Sequence, residues 1–138
     1  MKKLSTHDIF SIFDLDDDQT QSRRTKDKDQ CFVALSTLIS GVENYYLLDH
    51  MYLNRYGQSY VDVRQSLQVK YLSKLLKYVD RYDDIPLDTV HSIVDKFGDG
   101  SISFAFNDML ECFLQVEDYQ KCATLDKLMK IFNVKNLH

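Results

Sequence analysis

The stretch Leu87–Val116, LDTVHSIVDKFGDGSISFAFNDMLECFLQV, constrains the fold more than any other part of the chain. Val90, Ile93, Val94 and Phe97 fall at helical spacing and a Gly-Asp-Gly break follows. Ile102, Ala105, Phe106, Met109, Leu110, Phe113 and Leu114 then cover much of a second helix. A helix apolar over most of its circumference needs neighbours around it. The other helical patterns are one-sided, so the sequence predicts an all-α bundle of about six or more helices around a central buried helix that begins near Ser101.

Those other patterns follow in order. Residues 5–13, STHDIFSIF, read as a short helix capped by Ser5 or Thr6, with Ile9, Ile12 and Phe13 on one face that should dock rather than float. Asp14–Gln30, DLDDDQTQSRRTKDKDQ, is too polar to order itself and reads as a solvated linker. Cys31–Leu53 carries Phe32, Leu35, Leu38, Ile39, Val42, Tyr45, Tyr46 and Met51 at helical steps, and Asn54–Ser59 is a turn with Gly57 as its breaker. Val61–Tyr82 is one amphipathic helix with Lys70, Lys74, Lys77 and Arg81 on its wet side. Pro86 forces a stop, Asp88 can cap the next helix, and Glu117–Asn133 is the last one. The expected organisation is a single helical domain over residues 1–138, with a short helix and polar linker in 1–30 and the helical core in 31–138.

Composition excludes several function classes. The net charge of −4 gives no general attraction to nucleic acid. Cys31, Cys112 and Cys122 are odd in number and sit in apolar helical patterns, which implies a reducing, cytoplasmic setting. No run reaches the roughly eighteen apolar residues of a membrane span, and the start MKKLSTHDIF has too short an apolar stretch for a signal peptide. His7, His50, His91 and His138 are scattered, with no cysteine at zinc-ligand spacing, so no metal or other cofactor is expected. There is no phosphate-cradling loop, nucleophile elbow or carboxylate pair in an apolar setting, and the chain does not read as an enzyme. Tyrosines such as Tyr45, Tyr46, Tyr52, Tyr56 and Tyr60 suit a core rim or an interface.

Phe97–Phe106, FGDGSISFAF, resembles the first homology motif of the Bcl-2 family of apoptosis regulators, Phe-x-Asp-Gly, two variable residues, then Asn-Trp-Gly-Arg. Phe97, Asp99 and Gly100 match, Ser103 stands for Asn, Phe104 for Trp and Ala105 for Gly. Upstream, LSKLLKYVDRYDDIPLDTVHSIVDKF looks like the family's third and fourth helices, so the resemblance covers roughly residues 63–116, and the chain resembles a divergent member like the short homologues of large DNA viruses. It implies a groove that takes the amphipathic death-motif helix of a pro-apoptotic Bcl-2 protein, with anchors at i, i+3/4 and i+7. The implied walls are Gln68, Tyr71, Leu72, Leu75 and Val79 on one side, and Ile93, Asp99, Ser103, Phe106, Met109 and Leu110 on the other. Phe106 stands where the motif has an arginine that pairs with an aspartate of the bound helix, so binding would lean on apolar burial. The implied function is inhibition of apoptosis by sequestration, with recruitment to mitochondria through the partner and a homodimer left open.

An EF-hand competes for the same residues. Asp95, Asp99, Gly100 and Ile102 match loop positions one, five, six and eight, but Phe97 and Phe106 replace ligands at three and twelve. Asp14, Asp16 and Asp18 begin a similar loop, with Gln19 in place of its glycine and Thr25 in place of its closing glutamate. Two degenerate hands would form a light-chain-like or penta-EF-hand-like module that grips a partner helix without metal.

Overall fold

The structure, a computed structural model, describes residues 27–136. Among these residues there are five helices and no strand: α1 Asp27–Tyr56, α2 Gln58–Val61, α3 Arg64–Asp80, α4 Leu87–Gln115 and α5 Tyr119–Ile131. The chain is all-α, and the helix expected over residues 5–13 lies outside the described residues.

Local chemistry accounts for the helix ends, with three departures from the sequence reading. α1 begins at Asp27 rather than Cys31, taking the end of the polar linker into the helix. It runs through Tyr56 and stops at Gly57, whose φ of 55° is costly for residues with a side chain. The single helix expected over Val61–Tyr82 is instead α2 and α3, parted at Asp62 and Val63. The break lets Tyr60 and Leu67 bury together against Tyr52, Leu53, Tyr56 and Val63 over the end of α1. Pro86, with φ −58° and ψ 142°, takes the N-cap position expected of Asp88, which falls in the first turn of α4. α5 is capped by Asp118, whose carboxylate accepts from the Lys121 backbone N–H at 3.3 Å.

The Gly-Asp-Gly break lies at Gly98 alone. With φ 82° and ψ 160°, Gly98 interrupts α4 in a region only glycine enters readily, and the helix resumes at Asp99 with Gly100 already inside it.

The core does not close around one helix. α1 packs along both α3 and α4, and α4 packs along α1 and α5, whereas α3 meets α4 and α5 only briefly. Leu35, Leu38, Ile39 and Val42 of α1 are as buried as Ile102, Ala105, Phe106, Met109 and Phe113 of α4. The second half of α4 is one-sided, because Phe104 is 46% exposed with Asp108 and Glu111 further along the same stripe. Each fully buried Leu, Ile or Phe contributes about 1.5–3 kcal/mol over its exposed state, so α1 and α4 hold the bundle together as equals. By length and composition Gln30–Tyr56 of α1 could also cross a membrane, contrary to the expectation that no run in the chain is apolar enough for a span. Half of its most apolar window is buried in the bundle, as the core helix of a soluble protein would be.

Candidate functional site

A groove of about 430 Å³ opens between α1 and α3. Its α1 wall presents Val33, Thr37, Ser40 and Asn44, a stripe at steps of four, three and four, with Phe32, Ser36 and Gly41 deeper in. Its α3 wall is Tyr71, Lys74, Leu75 and Tyr78, and Lys96 of α4 joins at Phe32, its ammonium 5.4 Å from that ring and 5.1 Å from the Phe97 ring. The two walls touch at the floor. Tyr71 donates its hydroxyl hydrogen to the Gly41 carbonyl oxygen at 2.9 Å, and a Cβ on Gly41 would lie 2.6 Å from Leu75 Cδ1. Glycine at this position is what lets the helices approach so closely. Burial, with the charge of Tyr45 adding to it, pushes the Tyr71 hydroxyl up to about 12, so it remains a donor at neutral pH. The buried Ser36 hydroxyl, also on the α1 side, has no hydrogen-bond partner among the described residues. A polar atom buried without a partner is uncommon and favours an occupant that can supply one.

Of the residues expected to wall the groove, Tyr71 and Leu75 line this one. Leu72, Val79, Ile93, Phe106, Met109 and Leu110 are all core residues, 3% exposed or less, and offer a partner no surface in this conformation. Phe106 packs on Phe132 with ring centroids 5.6 Å apart. Gln68 and Ser103 are half-buried outside the groove, and Asp99 is exposed on α4. The open groove therefore pairs α3 with α1 rather than with the second half of α4. The sequence reading missed the α1 wall, whose only signal is the stripe of small and polar residues beside the apolar face.

Asp95–Phe106 is helical on both sides of Gly98 and forms no calcium-type loop, with Asp95 and Asp99 both exposed. No group of three or more His, Cys, Asp and Glu side chains suited to a metal ion occurs among the described residues. The acidic segment Asp14–Thr25 lies outside them.

Two other clusters flank the groove. Across the Lys74–Tyr78 ridge of α3, a wider cleft of about 830 Å³ toward α5 is lined by Lys70, Lys74, Lys77, Arg81 and Lys121, with Asp80 as its one acid. At the far end of α1, Asp49 accepts from the Tyr60 hydroxyl at 2.5 Å and from Arg64 Nε at 2.7 Å, and its other oxygen pairs with Arg64 Nη2. Burial pushes the Asp49 carboxyl up, but the hydrogen bonds from Arg64 and Tyr60 and the guanidinium charge outweigh it and hold the group below its ordinary value. Tyr60 is pushed far up by burial and by its bond to Asp49. This paired, hydrogen-bonded arrangement ties α1, α2 and α3 together and leaves no free base. Cys31 and Cys112 are buried free thiols, and burial, with the charges of Asp108 and Glu111, pushes Cys112 up to about 11.

No protein-family model, curated protein or solved structure matches the chain.

Proposed function

We propose that the chain is a helix-binding domain whose α1/α3 groove captures an amphipathic helix. In this reading the helix is the death motif of a pro-apoptotic Bcl-2 protein, and its sequestration inhibits apoptosis. The observation that carries the reading is the groove itself. It is open along α1 and α3, and its floor of Tyr71, Leu75 and Gly41 is apolar or closely packed. An amphipathic helix would seat apolar anchors there at i, i+3/4 and i+7. The resemblance at Phe97–Phe106 supplies the identity of that helix. Phe106 leaves no cation at the motif's arginine position, but Lys96 on the groove wall offers an ammonium to an aspartate of the ligand.

The test is isothermal titration of the full chain with a panel of death-motif peptides. Binding of at least one with a dissociation constant below about 1 μM, lost in a Val33→Glu variant that remains folded, is the expected result. Absence of heat from every peptide with a protein of intact helix content would remove the apoptotic reading.

A further inference from the structure

We propose that the cleft between α3 and α5 binds a compact anion carrying two or more phosphate groups, held by Lys70, Lys77 and Arg81 of α3 and by Lys121 of α5. The cleft lies across the α3 ridge from the α1/α3 groove and does not depend on what that groove takes. A free polyphosphorylated molecule and the headgroup of a phosphoinositide share the chemistry it would recognise.

Charge, donor chemistry, spacing and boundary converge on this ligand. The chain carries a net charge of −4, yet this concave surface gathers cations, with Asp80 as the one acid in its lining. Lys70, Lys77 and Arg81 are exposed, and among the described residues none of them has an acidic partner. Lys74 already interacts within the fold, and the site does not rely on it. Lys121 shares its ammonium with Asp118 at 2.6 Å, so the three α3 cations carry most of the attraction. Leu76 and Val69 make the lining partly apolar, and low-dielectric walls of this kind focus the cations' field on the space between the helices.

The donors suit phosphate oxygens. Arg81 offers a planar fork of N–H groups, and Ser73 and Gln120 line the same cleft with a hydroxyl and a carboxamide. Spacing sets the valence. At about 1.5 Å of rise per residue, Lys70 and Arg81 stand roughly 16 Å apart along α3, too far for one phosphate to touch both, so the ligand carries more than one. The boundary sets the size. Asp62 precedes α3, Asp83 and Asp84 follow it, and Glu117 and Asp118 precede α5. A nucleic-acid strand or a long acidic peptide would run past the cations onto these carboxylates and be repelled there, whereas a compact ligand stays among the cations.

The experiment titrates the full chain calorimetrically with inositol hexakisphosphate, the probe for a free ligand. In parallel the chain is co-sedimented with phosphatidylcholine vesicles containing phosphatidylinositol bisphosphate, the probe for a headgroup. Saturable binding in at least one arm, weakening as salt is raised and falling at least about tenfold in a Lys77→Glu/Arg81→Glu variant, is expected. Arg55→Glu/Lys130→Glu makes the same change in net charge at exposed positions outside the cleft, and should leave affinity within about twofold of the parent. All four side chains are exposed, so circular dichroism of both variants should match the parent. Binding in the titration alone assigns a free molecule, and binding to the vesicles assigns a headgroup; either result supports the cleft. Silence in both arms would overturn the proposal. So would an equal loss in the Arg55→Glu/Lys130→Glu variant, because it would trace the binding to net charge rather than to this cleft.

Discussion

The Tyr71 hydroxyl and the Gly41 carbonyl oxygen, 2.9 Å apart, join α3 to α1 at the floor of the groove. The approach depends on the missing side chain at Gly41, because Leu75 occupies the space a Cβ would take. Tyr71→Phe, which removes the donor, should cost about 1 kcal/mol. Gly41→Val should cost about 1–3 kcal/mol through overpacking. Combining Gly41→Val with Leu75→Ala should cost less than the sum of the two, since the smaller residue vacates the contested space. Chemical denaturation of the three variants measures each difference.

The two glycines of the Phe97–Phe106 stretch should respond in opposite ways. Gly98 has φ 82° and ψ 160°, so Gly98→Ala should destabilise by about 1–3 kcal/mol even though nothing lies within 4 Å of the added methyl. Gly100 is inside the helix with equally open space, so Gly100→Ala should be neutral or stabilise by about 0.5–1 kcal/mol. Thermal unfolding of both variants, with Tm moving down for the first and level or up for the second, checks the pair.

The Asp49–Arg64 pair sets a pH dependence of known sign. The folded carboxyl titrates below its ordinary 3.8, so the stability it contributes is complete above that value and is lost as pH falls through the lower, folded one. Arg64→Leu should therefore cost about 1–2 kcal/mol at pH 7, in the lower range for a charged hydrogen bond because the guanidinium side chain is 43% exposed. The gap between variant and parent should narrow as pH is lowered below 3.8. Urea denaturation at several pH values tests this, and a gap that widened toward acid would contradict the assignment.

Partner binding and folding should separate by position. Val33, 41% exposed on the groove wall, should tolerate Glu within about 0.5 kcal/mol while peptide affinity falls at least tenfold, about 1.4 kcal/mol. Met109, fully buried in α4, should not tolerate Glu at all, because the charge would be sealed in without a partner. Circular dichroism and titration on the two variants distinguish a groove residue from a core residue.

Much of this architecture was legible in the residues. Leu35, Leu38, Ile39 and Val42, and Ile102, Phe106, Met109 and Phe113, announce their helices and their buried faces by spacing alone. Gly57, Pro86 and the Gly98 region announce breaks, because backbone freedom and restriction are properties of single residues. The division of α2 from α3 was not legible, since it accompanies the burial of Tyr60 and Leu67 against Tyr52, Leu53 and Tyr56 once the chain turns back on the end of α1 at Gly57, a packing arrangement that helical periodicity does not report.

The sequence by itself determined where this chain is helical, where it must bend and which residues are apolar enough to be buried, all of which follow from local periodicity and local backbone preference. Only the tertiary structure decided which faces meet. It made α1 and α4 joint centres of the bundle, buried the expected α4 wall and opened a groove against α1 instead. It also brought Asp49, Tyr60 and Arg64 together. The reason is physical: a period of 3.6 residues reports that a helix has an apolar face, but the neighbour that covers it is chosen by packing among all the helices at once.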